Sequence, residues 1–484
     1  MELRRRLHTC LAVTMRQALS NNIAVGPLLI FVTMARLILA AKIGLTPDEV
    51  YYWIWSQHLQ GGYLDHPPAV AFIIRAGTWV WGDTTFGIRF FEPILALAGS
   101  FFLINAGRDL MGRREDGIKA ALLLNATLFL GVGAATMTPD TPLLFFNTLA
   151  LWALGRLYVT KRPEWWLLIG AAFGLGFDSK YTAVLPALAC GIWWLFSPRK
   201  PPFKWVAGGA LTGWLFISPV LLWNAQHHWA SFLKQGGRAQ DWAPSRAAQF
   251  CGELLGGQIG LATPLIFLLC VSGVIAAVRR ARRGDALWLL SAMVVLPGGV
   301  FLQHALGGRV QANWPIILYP AAILLATHMR GVASAACLGY VMTGLIYLQA
   351  LAHIIPLSPH HDIVARQTGG WRDFAQHLAR ENQGQAVIFR DYAQASLIHF
   401  YAPELTIYST DPRWFYLDRP VGREGAALLV EKQESRDAIL RGWVAASPNP
   451  TSLCRKARRQ NIKCYRLTPI KNSGKDSVIM RQVG

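Results

Sequence analysis

Apolar runs long enough to cross a bilayer recur through the first 350 or so residues of this 484-residue chain, and they fix its class before any motif is read. They lie near 23–41, 86–107, 117–136, 142–159, 164–179, 181–197, 204–223, 252–278, 286–303, 312–328 and 332–352. A chain built this way is a polytopic α-helical membrane protein with about eleven transmembrane helices. Composition agrees: only 15% of residues are charged, against about a quarter in soluble proteins.

The formal charge of +20 invites a nucleic-acid reading, but its placement argues otherwise. With the N-terminus inside, Lys and Arg concentrate on the cytoplasmic side of these runs. Arg4-Arg5-Arg6, Arg113-Arg114, Lys161-Arg162, Arg199-Lys200, Arg279-Arg280 and Arg282-Arg283 all fall there. That asymmetry sets orientation and attracts anionic lipid, and it calls for no nucleic-acid partner. One basic residue, Arg36, stands inside the first run. The N-terminus has the basic-then-apolar order of a signal peptide, but its apolar run is about 19 residues long. It is read as an uncleaved first span.

Residues 1–355 therefore form a membrane domain, with a first outer loop at 42–85 and another at 224–250. Residues 356–484 lose the long apolar runs. There Trp371–Arg380 and Tyr392–Tyr401 read as helices, and 386–389, 405–408, 426–430 and 464–467 as strands. Alternation of this kind predicts a small α/β domain, placed outside the cytoplasm by an odd number of spans. Cys454 and Cys464 lie in that tail, where an oxidising compartment permits a disulfide that spacing alone does not establish. The chain shows no internal repeat.

The outer turns hold the chemistry. Thr46-Pro-Asp-Glu-Val-Tyr-Tyr-Trp-Ile-Trp has a helix-start context, with Asp48 and Glu49 in its first turn. Tyr51, Tyr52, Trp53 and Trp55 suit a helix lying in the membrane interface. Asp48 is either a helix cap or a functional carboxylate, and the sequence leaves both open. Gly61-Gly62 break this helix. Asp65 and His66 follow at a bend stiffened by Pro67 and Pro68, a place for a simple turn or for phosphate or metal chemistry. Asp140, in Thr138-Pro-Asp-Thr-Pro142, is a cap or a third site acid. Lys180, in Phe177-Asp-Ser-Lys-Tyr181, either snorkels to the interface or turns inward toward an anion. Arg309, in Gly307-Gly-Arg-Val-Gln-Ala-Asn-Trp-Pro315, suits a bidentate phosphate contact. The 224–250 loop carries His227, His228, Lys234, Arg238 and Asp241-Trp242, with solvated charge as the default reading. Together these turns describe a polar cavity at one membrane face with carboxylates and cations.

The order Asp48-Glu49 with aromatics, Asp65-His66-Pro-Pro, Thr-Pro-Asp-Thr, Ser-Lys-Tyr and Ala-Asn-Trp-Pro resembles the protein O-mannosyltransferase-like membrane glycosyltransferases. These are GT-C fold enzymes that include the lipid A aminoarabinose transferases. The resemblance implies a polyprenyl-phosphate sugar donor and an acceptor at the outer face, a lipid or cell-envelope glycan ahead of protein. It implies Asp48 as catalytic base, Glu49 as its support, and Asp65 with His66 as an acidic-basic pair. Asp140 would be a further acid near them. In aminoarabinose transferases the pair is Glu-Lys, so His66 departs from that pattern. With Lys180 and Arg309, His66 is a candidate to neutralise the donor phosphate, and a divalent metal at Asp65 and Asp140 is the alternative. One base opposite the leaving group means inversion at the anomeric carbon. The rival readings are a flippase for lipid-linked sugars, which favours midplane charges and repeated halves, and a non-catalytic envelope scaffold. Location in the inner membrane with a periplasmic active site follows from the same resemblance.

Overall fold

The computed structural model describes residues 25–473, apart from 199, 238–243, 383, 418–424, 436–438, 441, 448 and 459. Arg4-Arg5-Arg6, Arg199, Arg238 and Asp241-Trp242 lie outside the described residues. The chain divides into two compact units. One comprises residues up to 41 together with 60–347; the other joins 42–59 to residues from 348 onward. The expected boundary near 355 thus falls at 347, and the first half of the expected outer loop packs with the C-terminal unit. The local reason is aromatic. Tyr51 and Trp53 of the helix Pro47–Gln57 meet Tyr392 and Phe400 at ring separations of 4.8 and 4.9 Å.

The first unit is helical. Among the described residues six helices are long and apolar enough to cross a membrane: Val25–Lys42, Thr85–Met111, Asp140–Thr160, Phe203–Gln226, Ala286–Ala305 and Val332–Ala352. Two bent pairs raise this to eight if each is one span, and Ala69–Trp81, Tyr181–Phe196 and Trp314–Ala326 are shorter apolar helices. Large apolar side chains such as Phe31, Trp79, Phe203 and Leu215 stay exposed on these helices, as a hydrocarbon solvent allows.

Two of the expected spans are broken. The 252–278 run is two helices, and the pair 244–262 and 264–280 is bent by 108°. Pro264 removes a helical donor and crowds the preceding turn, and Thr263 is driven to φ +71°. The 117–136 run bends by 68° after Ala126, where extended Thr127 donates its hydroxyl to the Leu124 carbonyl and accepts from the Leu130 amide. Arg36, fully buried in the first span, meets the groups gathered at this break. It donates to Asn125 Oδ1 at 2.9 Å and to the Gly131 carbonyl at 3.5 Å, and Asn125 donates in turn to Ser100 Oγ. A buried guanidinium needs oxygens around it, and a helix C-terminus supplies partial negative charge as well.

Close helix packing relies on glycine where backbones touch. A Cβ on Gly170 of the helix Trp165–Ser179 would lie 1.8 Å from the Gly209 carbonyl oxygen of the helix Phe203–Gln226. This contact sets the path of the helix that ends just before Lys180.

The second unit carries a mixed sheet: β1 Ala386–Phe389, β2 Ile407–Ser409, β3 Ala426–Lys432, β4 Trp443–Ala445, β5 Thr451–Ala457 and β6 Gln460–Asn472. The order is β2-β1-β3-β6-β4, with β5 also paired to β6. β1 runs parallel to both β2 and β3, with Ile388 opposite Tyr408 and Leu429, and β3 runs antiparallel to β6, with Val430 opposite Leu467. β1 is buried throughout, as a central parallel strand requires. The helix Trp371–Glu381 buries Trp371, Phe374, Ala375 and Leu378, the i, i+3, i+4, i+7 face of an amphipathic helix. Cys454 and Cys464 face each other across β5 and β6 and are joined by a disulfide.

Gly170→Ala is expected to destabilise the protein by about 1–3 kcal/mol, because the added methyl forces two backbones apart. A lowered melting temperature in detergent is the measurement; an unchanged one would mean that the helices separate freely.

Candidate active site

In the first unit the chain enters at Gln60 and turns sharply before the helix Ala69–Trp81. The preceding helix has already ended at Gln57, so Gly61 and Gly62 are not its breakers. They let the turn press against the helix Phe203–Gln226, where a Cβ on Gly61 would come within 2.6 Å of the Pro219 carbonyl oxygen. The turn is tied down at several points. Trp223 Nε1 donates to Gln60 Oε1 at 2.7 Å, and the Tyr63 amide donates to the His66 carbonyl. The helix Ala230–Gly237 adds a strap of three bonds. Ser231 Oγ donates to the Tyr63 carbonyl at 2.8 Å, Gln235 Nε2 to the Asp65 carbonyl at 2.9 Å, and Lys234 Nζ pairs with the Asp65 carboxylate at 2.5 Å.

A second ion pair stands on other elements. Asp140 opens the helix Asp140–Thr160, and Lys180 follows the end of the helix Trp165–Ser179. Lys180 Nζ reaches Asp140 Oδ1 at 2.5 Å, and Asn313 Nδ2 donates to Asp140 Oδ2 at 2.6 Å. Both carboxylate oxygens of Asp140 are thus taken by side chains distant in sequence, so Asp140 is more than a cap for its own helix. Lys180 is buried, which removes the snorkelling alternative.

His66 lies amid these groups, half-buried with its Nδ1 enclosed, and Lys180, Asp65, Asp140 and Lys234 all act on its imidazole. Burial, followed by Lys180, pushes its pKa down to about 4, while the two aspartates pull the other way. It is therefore neutral at neutral pH and serves as a hydrogen-bonding ring. The expected cationic role at the donor phosphate does not fit this environment. Asp178, two residues before Lys180, is a further buried carboxylate.

Arg309 is placed differently. Its guanidinium forks onto the Glu253 carboxylate at 2.7 and 3.0 Å, and the pair is largely exposed. Among the described residues none of its contacts is with His66, Lys180 or Asp140. A metal at Asp65 and Asp140 lacks a donor set. Each aspartate already faces a lysine, and no group of three or more His, Cys, Asp or Glu is arranged to hold one among the described residues.

Asp48 and Glu49 belong to the second unit and divide the two tasks that the sequence left open. Thr46 and Glu49 form a capping box: the Thr46 amide donates to Glu49 Oε2 at 2.8 Å, and the Glu49 amide points back to Thr46 Oγ1. Glu49 is fully buried in this structural role. Asp48 stays exposed and accepts a hydrogen bond from Tyr392 Oη at 2.9 Å. The four aromatics that follow are buried within the protein. Sequence reasoning passed over Asn313 and Tyr392 and left Lys234 at its default. The Ala-Asn-Trp-Pro run was the available signal for Asn313; for Tyr392 there was none.

A family model described as dolichyl-phosphate-mannose-protein mannosyltransferase matches residues 65–223, the stretch that contains Asp65, His66, Asp140 and Lys180. Lipid A galacturonosyltransferase RgtD of Rhizobium johnstonii is 27% identical over 58% of this chain and 60% of its own length. The structure of ArnT from Cupriavidus metallidurans bound to undecaprenyl phosphate superposes with a TM-score of 0.66, at 13% identity, over 91% of this chain and 97% of that one. The chain has the fold of ArnT and is similar in sequence to lipid A glycosyltransferases. Undecaprenyl phosphate-alpha-4-amino-4-deoxy-L-arabinose arabinosyl transferase 1 of Sodalis glossinidius is 28% identical over 34% of this chain and 33% of that relative. The chain thus matches three fifths or less of the length of these curated relatives, and its architecture matches nearly all of the ArnT chain.

The depressed His66 pKa has a thermodynamic signature. The unfolded imidazole titrates near 6.5 and the folded one near 4, so the unfolded state takes up the proton first. Stability is full above about pH 6.5 and is expected to fall by roughly 3 kcal/mol as pH drops toward 4. Melting curves in detergent should flatten over this window in His66→Gln; an equally steep loss in that variant would place the titration elsewhere.

Proposed function

We propose that the protein transfers a monosaccharide from a polyprenyl-phosphate donor to a lipid or cell-envelope glycan. The arrangement of Asp140, Lys180 and Asn313 with Asp65, Lys234 and His66 carries this reading, because Asp65, His66, Asp140 and Lys180 lie on the stretch that matches the dolichyl-phosphate-mannose-protein mannosyltransferase model. At rest the cluster is neutral: two lysines face two aspartates around an uncharged imidazole. An incoming lipid phosphate supplies the negative charge that lets the lysines exchange partners. Lys180 and Lys234 then stabilise the phosphate as it departs, and His66 donates an N–H. Arg309 has a smaller part, since it must first leave Glu253.

In the transfer step the acceptor hydroxyl oxygen attacks the anomeric carbon, and the bond from that carbon to the phosphate oxygen breaks. The phosphate leaves with the electron pair, and the hydroxyl proton passes to Asp48. A single displacement of this kind inverts the anomeric centre. The donor of choice is an undecaprenyl-phosphate sugar and the acceptor is of the lipid A class, as the names of the relatives suggest. The protein works in the inner membrane with its reacting face and α/β unit in the periplasm. The positive-inside distribution and the Cys454–Cys464 disulfide support that orientation.

Purified protein supplied with a radiolabelled polyprenyl-phosphate sugar and a membrane lipid extract is expected to move label onto an extractable acceptor. Asp48→Asn should lower transfer about a hundredfold or more, and Lys180→Met should weaken it as well. Transfer at the native rate in Asp48→Asn would remove the base, and label crossing vesicles without transfer would favour a flippase.

Orientation is tested separately in a variant lacking the other cysteines. In intact spheroplasts an impermeant maleimide is expected to tag Cys454 and Cys464 only after an impermeant reductant has opened the disulfide. Tagging that needs permeabilisation would put the α/β unit in the cytoplasm.

A further inference from the structure

The second unit carries a polar arrangement of its own around Asp48. Its parallel strands β2, β1 and β3 have their carboxyl ends together, and the helix Tyr392–Tyr401 starts there, with Asp391 as its cap accepting from the Ala393 amide at 2.8 Å. Carboxyl ends of parallel strands on either side of a switch in strand order are where α/β sheets present functional groups. The group presented here is the Tyr392 phenol. Its ring is held on two sides, with the Arg413 guanidinium 4.4 Å from its centre and the Tyr51 ring meeting it edge-on at 4.8 Å. Its hydroxyl donates to Asp48 Oδ1 at 2.9 Å. The acceptor is equally constrained, because the Thr46–Glu49 capping box fixes the backbone that carries Asp48.

We infer that Tyr392 is a positioning residue for the Asp48 carboxylate, so that the α/β unit takes part in deprotonating the acceptor. The inference rests on the reading of Asp48 as the base. A phenol bonded to one carboxylate oxygen fixes the rotamer of Asp48 and favours its ionised form, the form that accepts a proton. Arg413 over the ring withdraws negative charge from the phenol and makes its O–H a better donor. During transfer the proton moves from the acceptor hydroxyl to Asp48, and Tyr392 keeps its own. Among the described residues the other charged and titratable groups nearby include Glu49, Tyr51 and Tyr52 on the same helix, His399 on the helix Tyr392–Tyr401, Asp411, which lies 3.5 Å from the Arg413 guanidinium, and Asp391, which Lys432 approaches at 3.9 Å. Arg390 and Arg466 each pair with Glu431.

The test compares pH–rate profiles of the native protein, Tyr392→Phe, Arg413→Gln and Asp48→Asn with the same labelled donor. Tyr392→Phe is expected to slow transfer and to move the acid limb upward by roughly half a unit to one unit, the size of one ordinary hydrogen bond in an exposed setting. Arg413→Gln is expected to move it the same way by less, and it serves alone if Tyr392→Phe does not fold. A merely structural tie would lower the rate at every pH and leave the limb in place. If Asp48→Asn abolishes transfer while the limb stays fixed in both other variants, the inference fails and the base assignment stands. If Asp48→Asn transfers normally, both fail.

Discussion

Lys180 is buried beside Asp140, and much of the first unit is arranged so that this pair can exist. An ammonium taken out of water costs several kcal/mol unless an opposite charge and further hydrogen bonds meet it. Asp140 meets it from the start of one helix, and Asn313, far along the chain, occupies the other carboxylate oxygen. The three residues come from three separated stretches, so the pair forms only when the helix packing is correct. The glycine contact between the helices Trp165–Ser179 and Phe203–Gln226 is part of that condition, since it determines where Lys180 emerges. The Asp65–Lys234 pair repeats the device beside His66, whose neutrality follows from the same burial and the same cations.

Neutrality at rest bears on selectivity. A site with uncompensated lysines would attract any anion, including free phosphate. A site whose lysines already hold aspartates yields them only to a ligand that brings compensating binding elsewhere. A polyprenyl tail can supply this, because each buried methylene contributes about 0.8 kcal/mol.

Much of this architecture is legible in the sequence, and the exceptions have physical causes. Membrane-length helices are visible because length and apolarity suffice for them. The strands at 386–389 and 426–432 are visible as apolar runs between turn residues, whereas the edge strands 443–445 and 451–457 are short or polar and depend on β6 for their definition. Pro264 signalled the sharp break that a 27-residue apolar run concealed. The break at Thr127 has no proline, and the groups gathered there include a guanidinium some 90 residues away in sequence. In the Asp48-Glu49 pair the sequence gives both residues the same context. Only the structure separates the capping carboxylate from the exposed one. Asp65, His66, Asp140 and Lys180 were readable as polar turns between apolar runs, and they lie close together. Arg309 was readable by the same logic but is held by Glu253, a partner that the motif did not include.

The second unit is assembled from chain segments made at very different times. Asp48 and Tyr392 are separated by 344 positions. At about 5–20 residues per second, synthesis of the intervening chain takes roughly 20–70 s. During that interval the helix Pro47–Gln57 has been made while the helix that buries Tyr51 and Trp53 does not yet exist. Its aromatic surface stays without these ring partners until the C-terminal segment arrives. The proposed catalytic carboxylate is thus installed among the last steps of biogenesis, and a chain truncated before residue 392 would insert its helices yet never complete the environment of its base.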